Sequence, residues 1–167
     1  MNLKLRALEP SDLDLIYDVE NDKSLWKYSN ISSPFSRHTL KKFIESSHLD
    51  IIEHKQLRLV ICENETLYGF IDLFDYDYIN RRACVGIIIL KEHRNKGIGS
   101  KSLQMIEKHV IDHIPIHQLY ANISSKNSES ISLFKKNGYI EVGNKKDWVY
   151  YNNEFNDELM FQKILVK

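Results

Sequence analysis

The stretch "CVGIIILKEHRNKGIGSKSL" (Cys84–Leu103) runs from an apolar segment through a basic, glycine-rich turn into residues spaced like a helix. It predicts a strand that ends near Leu90 and a long helix that begins near Gly97, which leaves the backbone amides of Lys96–Ser100 facing outward without helical partners. A helix N-terminus carries about half a positive charge, and glycine leaves the backbone uncovered. The sequence therefore predicts an anion-binding corner between the strand and the helix.

Two other phosphate-binding patterns do not fit this corner. A P-loop requires glycine where Asn95 and Ser100 stand, and a dinucleotide fingerprint requires glycine at Ser102 followed by an acidic residue about twenty positions later. The pattern that remains is Arg94–Gly99, of the form R/Q-x-x-G-x-G/A. The residues alone leave open a simpler interpretation, in which the glycines only ease a tight turn before a helix.

The hexapeptide Arg94–Gly99 resembles the pyrophosphate-binding signature of the GNAT superfamily of acyl-CoA-dependent N-acyltransferases. A second block, "ANISSKNSESISLFKKNGYIEVG" (121–143), is similar to a strand, a helix and a following strand of the same family. The matching positions are Asn127, Ser130, Leu133, Phe134, Gly138 and Tyr139. More faintly, segments 3–19 and 69–90 resemble the branch that contains ribosomal-protein N-terminal acetyltransferases and spermidine acetyltransferases.

This resemblance implies a cofactor site for acetyl-CoA, which serves as cosubstrate. A strand kinked at Ile87–Ile89 would pair with the pantetheine arm, and a splay between this strand and "QLYANIS" (118–124) would hold the thioester in a V-shaped cleft. The implied cofactor-binding residues are Ile87, Ile88, Ile89, Arg94, Asn95, Lys96, Gly97, Ile98, Gly99, Ser100, Asn122, Asn127, Ser130, Leu133 and Phe134. The implied reaction is direct attack of a primary amine on the thioester in a ternary complex.

Such a reaction requires a neutral amine. A basic group, such as an ionised carboxylate, is therefore expected near the cleft to accept the proton of the amine. The candidate bases are Asp72, Asp75, Asp77 and Glu63. Asp72 is favoured as the catalytic residue because it interrupts an apolar strand, where a carboxylate is costly. The alternative is a structural role for Asp72, as a cross-strand partner of Arg81 or Arg82 or as part of a solvent-facing strand.

The chain departs from the family pattern at three places. Phe134 stands where many relatives have a tyrosine that protonates the departing thiolate, so that role falls to water or to Tyr139. Cys84 stands where the branch often has a carboxylate beside the cleft. The segment "SNISSPFSR" (29–37) lacks the glutamates of polyamine-binding relatives, which favours a protein N-terminus or a small-molecule amine over a polyamine. A non-catalytic acyl-CoA-binding sensor or interaction module is the alternative from another functional class.

Composition sets the remaining expectations for this chain. The 167 residues fit a single domain over 1–167, and 23 basic residues balance 23 acidic ones, so neither nucleic acid nor a membrane surface is an expected partner. Cys62 and Cys84 lie in apolar runs, which indicates free thiols in the cytoplasm. His109 and His113 share a helix face without a third ligand in register, so no metal is expected. A homo-oligomer remains possible.

Hydrophobic periodicity predicts an α/β fold with a mixed, mainly antiparallel sheet flanked by helices. The chain opens with a strand that Pro10 stops and a helix that Ser11 caps. A second helix over residues 40–52 is broken near Ser46, and three apolar runs between residues 56 and 90 form a meander. The last elements are the long helix, strand 118–124, a helix over 128–137 with Gly138 as its C-cap, and two closing strands. Trp26 and Tyr28 either line an acceptor pocket or pack against the first helix.

Overall fold

A mixed seven-stranded sheet runs through the computed structural model, which describes residues 2–29, 31–47 and 51–165. Its strands are β1 (Lys4–Arg6), β2 (Leu57–Glu63), β3 (Thr66–Asp77), β4 (Arg82–Ile89), β5 (Gln118–Ser124), β6 (Ile140–Tyr151) and β7 (Glu154–Ile164), in the order β1-β2-β3-β4-β5-β7-β6. The helices are α1 (Leu13–Glu20), α2 (Lys23–Trp26), α3 (Arg37–Ser46), α4 (Ile51–His54), α5 (Ile98–His113) and α6 (Ser128–Lys136). Two 3-10 turns, Pro10–Asp12 and Lys91–His93, precede α1 and α5.

The sheet divides where β4 meets β5. These two strands are parallel and pair only from Arg82 with Gln118 to Cys84 with Tyr120, whereas every other neighbouring pair in the sheet is antiparallel. Beyond Cys84 and Tyr120 the two strands separate. This separation, called the split below, confirms the predicted V-shaped splay and the mixed, mainly antiparallel α/β fold.

Each face of the sheet is covered by its own helices. On one face, Ile71 and Leu73 of β3 pack with Ile98 and Ile106 of α5 in a core that α6 also joins. On the other face, Phe70 belongs to a second core with residues of α1 and α3. Burial of such an aliphatic side chain contributes roughly 1.5–3 kcal/mol, and side chains alternate between the faces of a strand. Asp72 therefore shares the α1–α3 face with Phe70.

The start of α1 differs from the prediction that Ser11 caps it. Asp12 is buried instead, and its carboxylate accepts hydrogen bonds from the Glu9 amide at 2.8 Å and from Arg6 at 2.7 and 2.8 Å. The Arg6 partner lies on β1, so a contact with the sheet decides the local geometry. The predicted break in the second helix is confirmed, because α3 ends at Ser46 and α4 begins at Ile51, with residues 48–50 outside the described part of the chain.

Candidate active site

The N-terminus of α5 has the geometry of an anion-binding corner. Gly97, the residue before the helix, has φ 77° and ψ 0°, and no side chain caps the helix. Asn95 is also left-handed, with φ 60°. The first amides of the helix have no carbonyl one turn earlier to bond to, and the first such bond runs from the Lys101 amide to the Gly97 carbonyl at 3.2 Å. The amides of Ile98–Ser100 can therefore serve a bound anion.

Two basic side chains of this corner, Arg94 and Lys96, donate hydrogen bonds to backbone carbonyls. Arg94 donates from Nε to the Ile89 carbonyl at 3.0 Å, and Lys96 donates from Nζ to the Glu92 carbonyl at 2.8 Å. The bond from Arg94 links the end of β4 to the corner. These two cations are held beside the free helix amides, which strengthens the positive field there.

Residues of the second block (121–143) hold α6 against α5 beside the corner. A Cβ on Gly99 would lie 3.1 and 3.3 Å from the two Leu133 methyl carbons, so Gly99 allows the helices to approach closely. The buried Asn137 donates from Nδ2 to Ser100 Oγ at 2.8 Å and to the Leu133 carbonyl at 2.7 Å. Sequence reasoning missed Asn137 as a site residue, because its contacts depend on how the helices pack. Leu133 and Asn137 thus position the corner.

Asn127 and Ser130 form the start of α6. The Asn127 side chain accepts a hydrogen bond from the Ser130 amide at 3.1 Å, which caps the helix. This cap explains the local fold without a cofactor. The predicted contact of Asn127 and Ser130 with coenzyme A stays a prediction.

The split opens directly beside the corner, since β4 leads into it. Ile87, Ile88 and Ile89 lie beyond the last residue of β4 that pairs with β5, so their backbone on that side faces the split. Their pairing with β3 is regular, and the irregularity falls between Phe74 and Asp77 instead. The expected kink at Ile87–Ile89 is therefore not seen in the register. A ligand bound at the corner can still lie along this strand edge.

Asp72 lies in a buried ion-pair cluster. Its carboxylate accepts hydrogen bonds from Arg58 Nε at 2.6 Å and Nη2 at 3.1 Å, and Arg58 also bonds Glu20 of α1 through Nη1. Burial alone would lower the pKa of Arg58, but the charge of Asp72, followed by that of Glu20, raises it above its ordinary value. The cross-strand partner is thus Arg58, where Arg81 or Arg82 was expected. A carboxylate with both oxygens occupied by a guanidinium is poorly placed to accept a proton, and a structural role fits Asp72 better.

The other three candidate bases, Asp77, Glu63 and Asp75, differ from one another in hydrogen bonding and exposure. Asp77 accepts from the Asn80 backbone and side chain, which lowers its pKa, and it pairs with Arg82 at 3.1 Å. The Glu63 carboxylate accepts from the backbone amide of Asn2, which lowers the pKa of Glu63. Asp75 is exposed, at the irregular end of β3.

Two aromatic residues behind the split belong to the core. Phe134 and Tyr139 are 2% and 3% exposed, and their rings meet edge to face with centroids 4.9 Å apart. Burial raises the pKa of Tyr139. Phe134 has no proton to give, and Tyr139 is a buried and weakened acid. Both properties argue against a role of these two residues in protonating a departing thiolate.

A polar cluster at the split was not predicted from the sequence. Lys145 of β6 donates from Nζ to Glu158 Oε1 of β7 at 2.8 Å and to Asn122 Oδ1 of β5 at 3.1 Å. Asn122 is the second residue of β5 past the last pair with β4. Cys84, on the opposite strand, is buried, which raises the pKa of its thiol to about 12. The cluster depends on the strand order β5-β7-β6, which no local pattern reveals.

A cavity of about 250 Å³ lies between the segment after α2 and the β6–β7 hairpin. Its lining residues are Trp26, Ser29, Ile31, Ser32, Trp148, Val149, Tyr150 and Tyr151, none of which carries a charge. The structure thus places Trp26 at the cavity, whereas Tyr28 is not among its lining residues. Asn30, in the segment that lacks the glutamates of polyamine-binding relatives, lies outside the described residues.

Other features of the described residues set limits on the site. They contain no group of three or more histidine, cysteine, aspartate or glutamate side chains that could hold a metal ion. Cys62 and Cys84 are free and buried. None of the helices in ranges 2–29, 31–47 and 51–165 is long and apolar enough to span a membrane.

The divided mixed sheet, with a glycine-rich helix start after one of the strands that separate, is the arrangement that the resemblance to CoA-dependent N-acyltransferases implied. The model of the Acetyltransferase (GNAT) domain family matches residues 2–140, and the chain belongs to that family. Spermidine N(1)-acetyltransferase of Vibrio cholerae is 24% identical over 93% of this chain and 88% of its own. The putative ribosomal N-acetyltransferase YdaF of Bacillus subtilis is 23% identical over 98% of this chain and 91% of its own.

Solved structures agree with this assignment of the fold. Spermidine N-acetyltransferase from Vibrio cholerae in complex with CoA and spermine superposes with a TM-score of 0.88, at 24% identity, over 98% of this chain and 95% of the other. A ribosomal L7/L12 alpha-N-protein acetyltransferase in complex with coenzyme A gives 0.86 at 20% identity, over 99% and 95% of the two chains. The chain is an N-acetyltransferase of the GNAT family with acetyl-CoA as cosubstrate, and a non-catalytic module is not favoured.

Proposed function

We propose that the enzyme acetylates the primary amine of an acceptor that is otherwise weakly charged, such as a protein N-terminus or a small-molecule amine, rather than a polyamine. The observation that carries this proposal is the uncharged lining of the cavity between the segment after α2 and the β6–β7 hairpin. A polyamine brings several positive charges, and their desolvation against tryptophan, tyrosine and serine side chains would have no offsetting carboxylate. The relatives named above act on both kinds of acceptor, so their names do not decide between them.

The state of the candidate bases supports the same choice. An amine with a pKa near 10.4 is only about one part in a few thousand neutral at pH 7, a deficit of about 4–5 kcal/mol, whereas an α-amine near 8 has a deficit of about 1–2 kcal/mol. Arg58 donates hydrogen bonds to both oxygens of Asp72, which argues against Asp72 as the base. An acceptor that needs little help in losing its proton suits this site.

The proposed reaction is direct attack in a ternary complex. The pyrophosphate of acetyl-CoA is proposed to lie on the amides of Lys96–Ser100, with Arg94 beside it, and the pantetheine arm to follow Ile87–Ile89 into the split. One backbone amide of Ile87–Ile89 would face the thioester oxygen and stabilise its developing negative charge. The two free, buried cysteines fit a reducing cytoplasm, which is the proposed location.

Initial rates of thiol release from acetyl-CoA test the proposal with three acceptors. These are a peptide with a free α-amine and neutral side chains, the same peptide with an acetylated N-terminus and one lysine, and spermidine. The α-amine peptide is expected to exceed spermidine in kcat/KM by at least about tenfold, equivalent to roughly 1.4 kcal/mol. A preference for spermidine would contradict the proposed acceptor. Intersecting double-reciprocal plots are expected, and parallel plots would indicate a covalent intermediate.

A further inference from the structure

We propose that Lys145 is a catalytic residue whose ammonium group balances the negative charge on the sulfur of coenzyme A as the thiolate departs. The proposal rests on the proposed function, since it requires the thioester to lie in the split. In it, the β6 lysine performs the task for which Phe134 and Tyr139 are unsuited.

The position of Lys145 carries the first step of the argument. Its Nζ lies 3.1 Å from the side-chain oxygen of Asn122, an exposed residue of β5 just past the point where β4 and β5 separate. The charge of Lys145 also acts on the thiol of Cys84, the last residue of β4 that pairs with β5. The ammonium group therefore lies beside β5 at the start of the split, within electrostatic range of the end of the β4–β5 pairing.

Three contacts hold the lysine in this position. Glu158 is its direct cross-strand partner and accepts its hydrogen bond at 2.8 Å, with 13% of the Glu158 side chain exposed. The centroid of the Trp148 ring lies 5.1 Å from Lys145 Nζ. Asn122 accepts a second hydrogen bond. An ammonium group has three donors, so one N–H can turn toward a ligand in the split.

Charge balance explains why a lysine suits this step. The amine nitrogen forms a bond to the carbonyl carbon, the carbon–sulfur bond breaks, and sulfur keeps the electron pair. The ammonium group and the thiolate carry opposite charges, so the two form an ion pair as the carbon–sulfur bond breaks. The nitrogen releases its surplus proton to solvent, and solvent protonates the thiolate as coenzyme A leaves. Lys145 ends the cycle in the state in which it began.

The sharpest test measures binding, not turnover. If Lys145 lowers the thiol pKa of bound CoA by about one unit, CoA binds about sixfold more tightly at pH 9 than at pH 7, because the thiolate is the form favoured in the complex. Desulfo-CoA lacks the thiol and corrects for every other titration. Calorimetric titration of the protein with each ligand at both pH values gives the ratio of CoA to desulfo-CoA affinity.

Two titratable groups near the start of the split, Cys84 on β4 and Tyr120 on β5, keep their protons over this pH interval. Glu158 on β7 accepts the hydrogen bond of Lys145, and Asp75 on β3 acts on Cys84 through its charge. Burial raises the pKa of Cys84 and that of Tyr120 to about 12, so neither ionises by pH 9. A sixfold change would therefore report the thiol of CoA.

Lys145→Met is expected to abolish the pH dependence of the affinity ratio and to lower kcat at least tenfold with little change in the KM for acetyl-CoA. Lys145→Arg keeps the charge and is expected to retain most of kcat and most of the pH dependence of the affinity ratio. Lys146→Met is the matched control, since Lys146 is 76% exposed and pairs with Asp157. The double variant Lys145→Met/Glu158→Gln removes the charge without leaving the Glu158 carboxylate unpaired, and it keeps the test valid if the single variant folds poorly.

The outcomes separate this proposal from the one on which it rests. Wild-type protein that fails to bind CoA removes the proposed function and this proposal together. Wild-type binding with a pH dependence that survives in both the Lys145→Met and the double variant overturns the role of Lys145 alone. Equal effects from Lys145→Met and Lys146→Met also overturn it, because a general loss of positive charge would then explain the result.

Discussion

Asp72 shows, at the scale of a single residue, how a carboxylate in an apolar strand can be structural. Its side chain and that of Arg58 are 9% and 12% exposed, and Glu20 completes the cluster. Asp72→Asn is expected to lower the free energy of unfolding by about 2–3 kcal/mol, because the buried guanidinium loses one of two carboxylate partners. Urea denaturation measures the change. A general base would behave differently: the variant would flatten the pH dependence of acetyl transfer and leave stability nearly intact.

Asp77→Asn is the control for this prediction. Asp77 pairs with Arg82 on the same hairpin, but the two side chains are 28% and 50% exposed. The expected loss of stability is below about 1 kcal/mol, since solvent screens the pair. Equal losses at Asp72 and Asp77 would show that the cluster with Arg58 and Glu20 has no special weight.

At the scale of the element, the start of α5 contains two glycines with different roles. Gly99 is required by packing and Gly97 by backbone geometry. A Cβ built on Gly99 would lie 3.1 Å from a Leu133 methyl carbon, so a large residue there would push α6 away and could not report on the cofactor. Gly97 is the better probe, since nothing lies within 4 Å of a Cβ built on it. Its left-handed φ of 77° disfavours alanine by about 1 kcal/mol but is tolerated by asparagine.

Gly97→Asn is accordingly expected to keep nearly wild-type stability and to weaken CoA binding about tenfold. The added side chain can cap helix amides that the diphosphate must reach, which costs about as much as a lost hydrogen bond to a charged group. Gly97→Ala is expected to lose both stability and affinity. Gly143→Ala on β6 is the matched control, because its Cβ also meets nothing within 4 Å and its φ is not positive. Wild-type CoA affinity in Gly97→Asn would place the diphosphate elsewhere.

Local patterns in the sequence predicted the elements around the corner well. The helix expected to begin near Gly97 begins at Ile98, and the helix expected over 128–137 spans Ser128–Lys136 with Gly138 at φ 84°. These features depend on periodicity and on glycine. The Arg58–Asp72 pair depends instead on the register between β2 and β3, and the contact from Lys145 to Asn122 depends on β7 lying between β5 and β6. Charge partners across strands require topology, which periodicity does not contain.

At the scale of the whole molecule, the split is a stretch inside the sheet where two adjacent strands of the described chain do not pair with each other. Beyond Cys84 and Tyr120, β4 and β5 do not pair with each other. On their other sides, β4 pairs with β3 and β5 pairs with β7. The proposed pantetheine arm would supply hydrogen bonds to this edge as an added strand does. Binding of CoA is therefore expected to protect amides that now face solvent there.

Hydrogen exchange followed by mass spectrometry, with and without saturating CoA, checks this prediction. Peptides that cover 85–90, 96–100 and 121–124 are expected to exchange at least about tenfold more slowly with CoA, because opening must then break ligand contacts as well. Peptides from β2 and β3 provide the internal control, since their amides already pair within the sheet and need change only as global stability rises. Protection confined to 96–100 would leave the diphosphate at the corner but take the arm out of the split. Uniform protection throughout the chain would reflect global stabilisation alone, because a ligand held between β4 and β5 must affect their facing edges more than the distant β1–β2 side of the sheet.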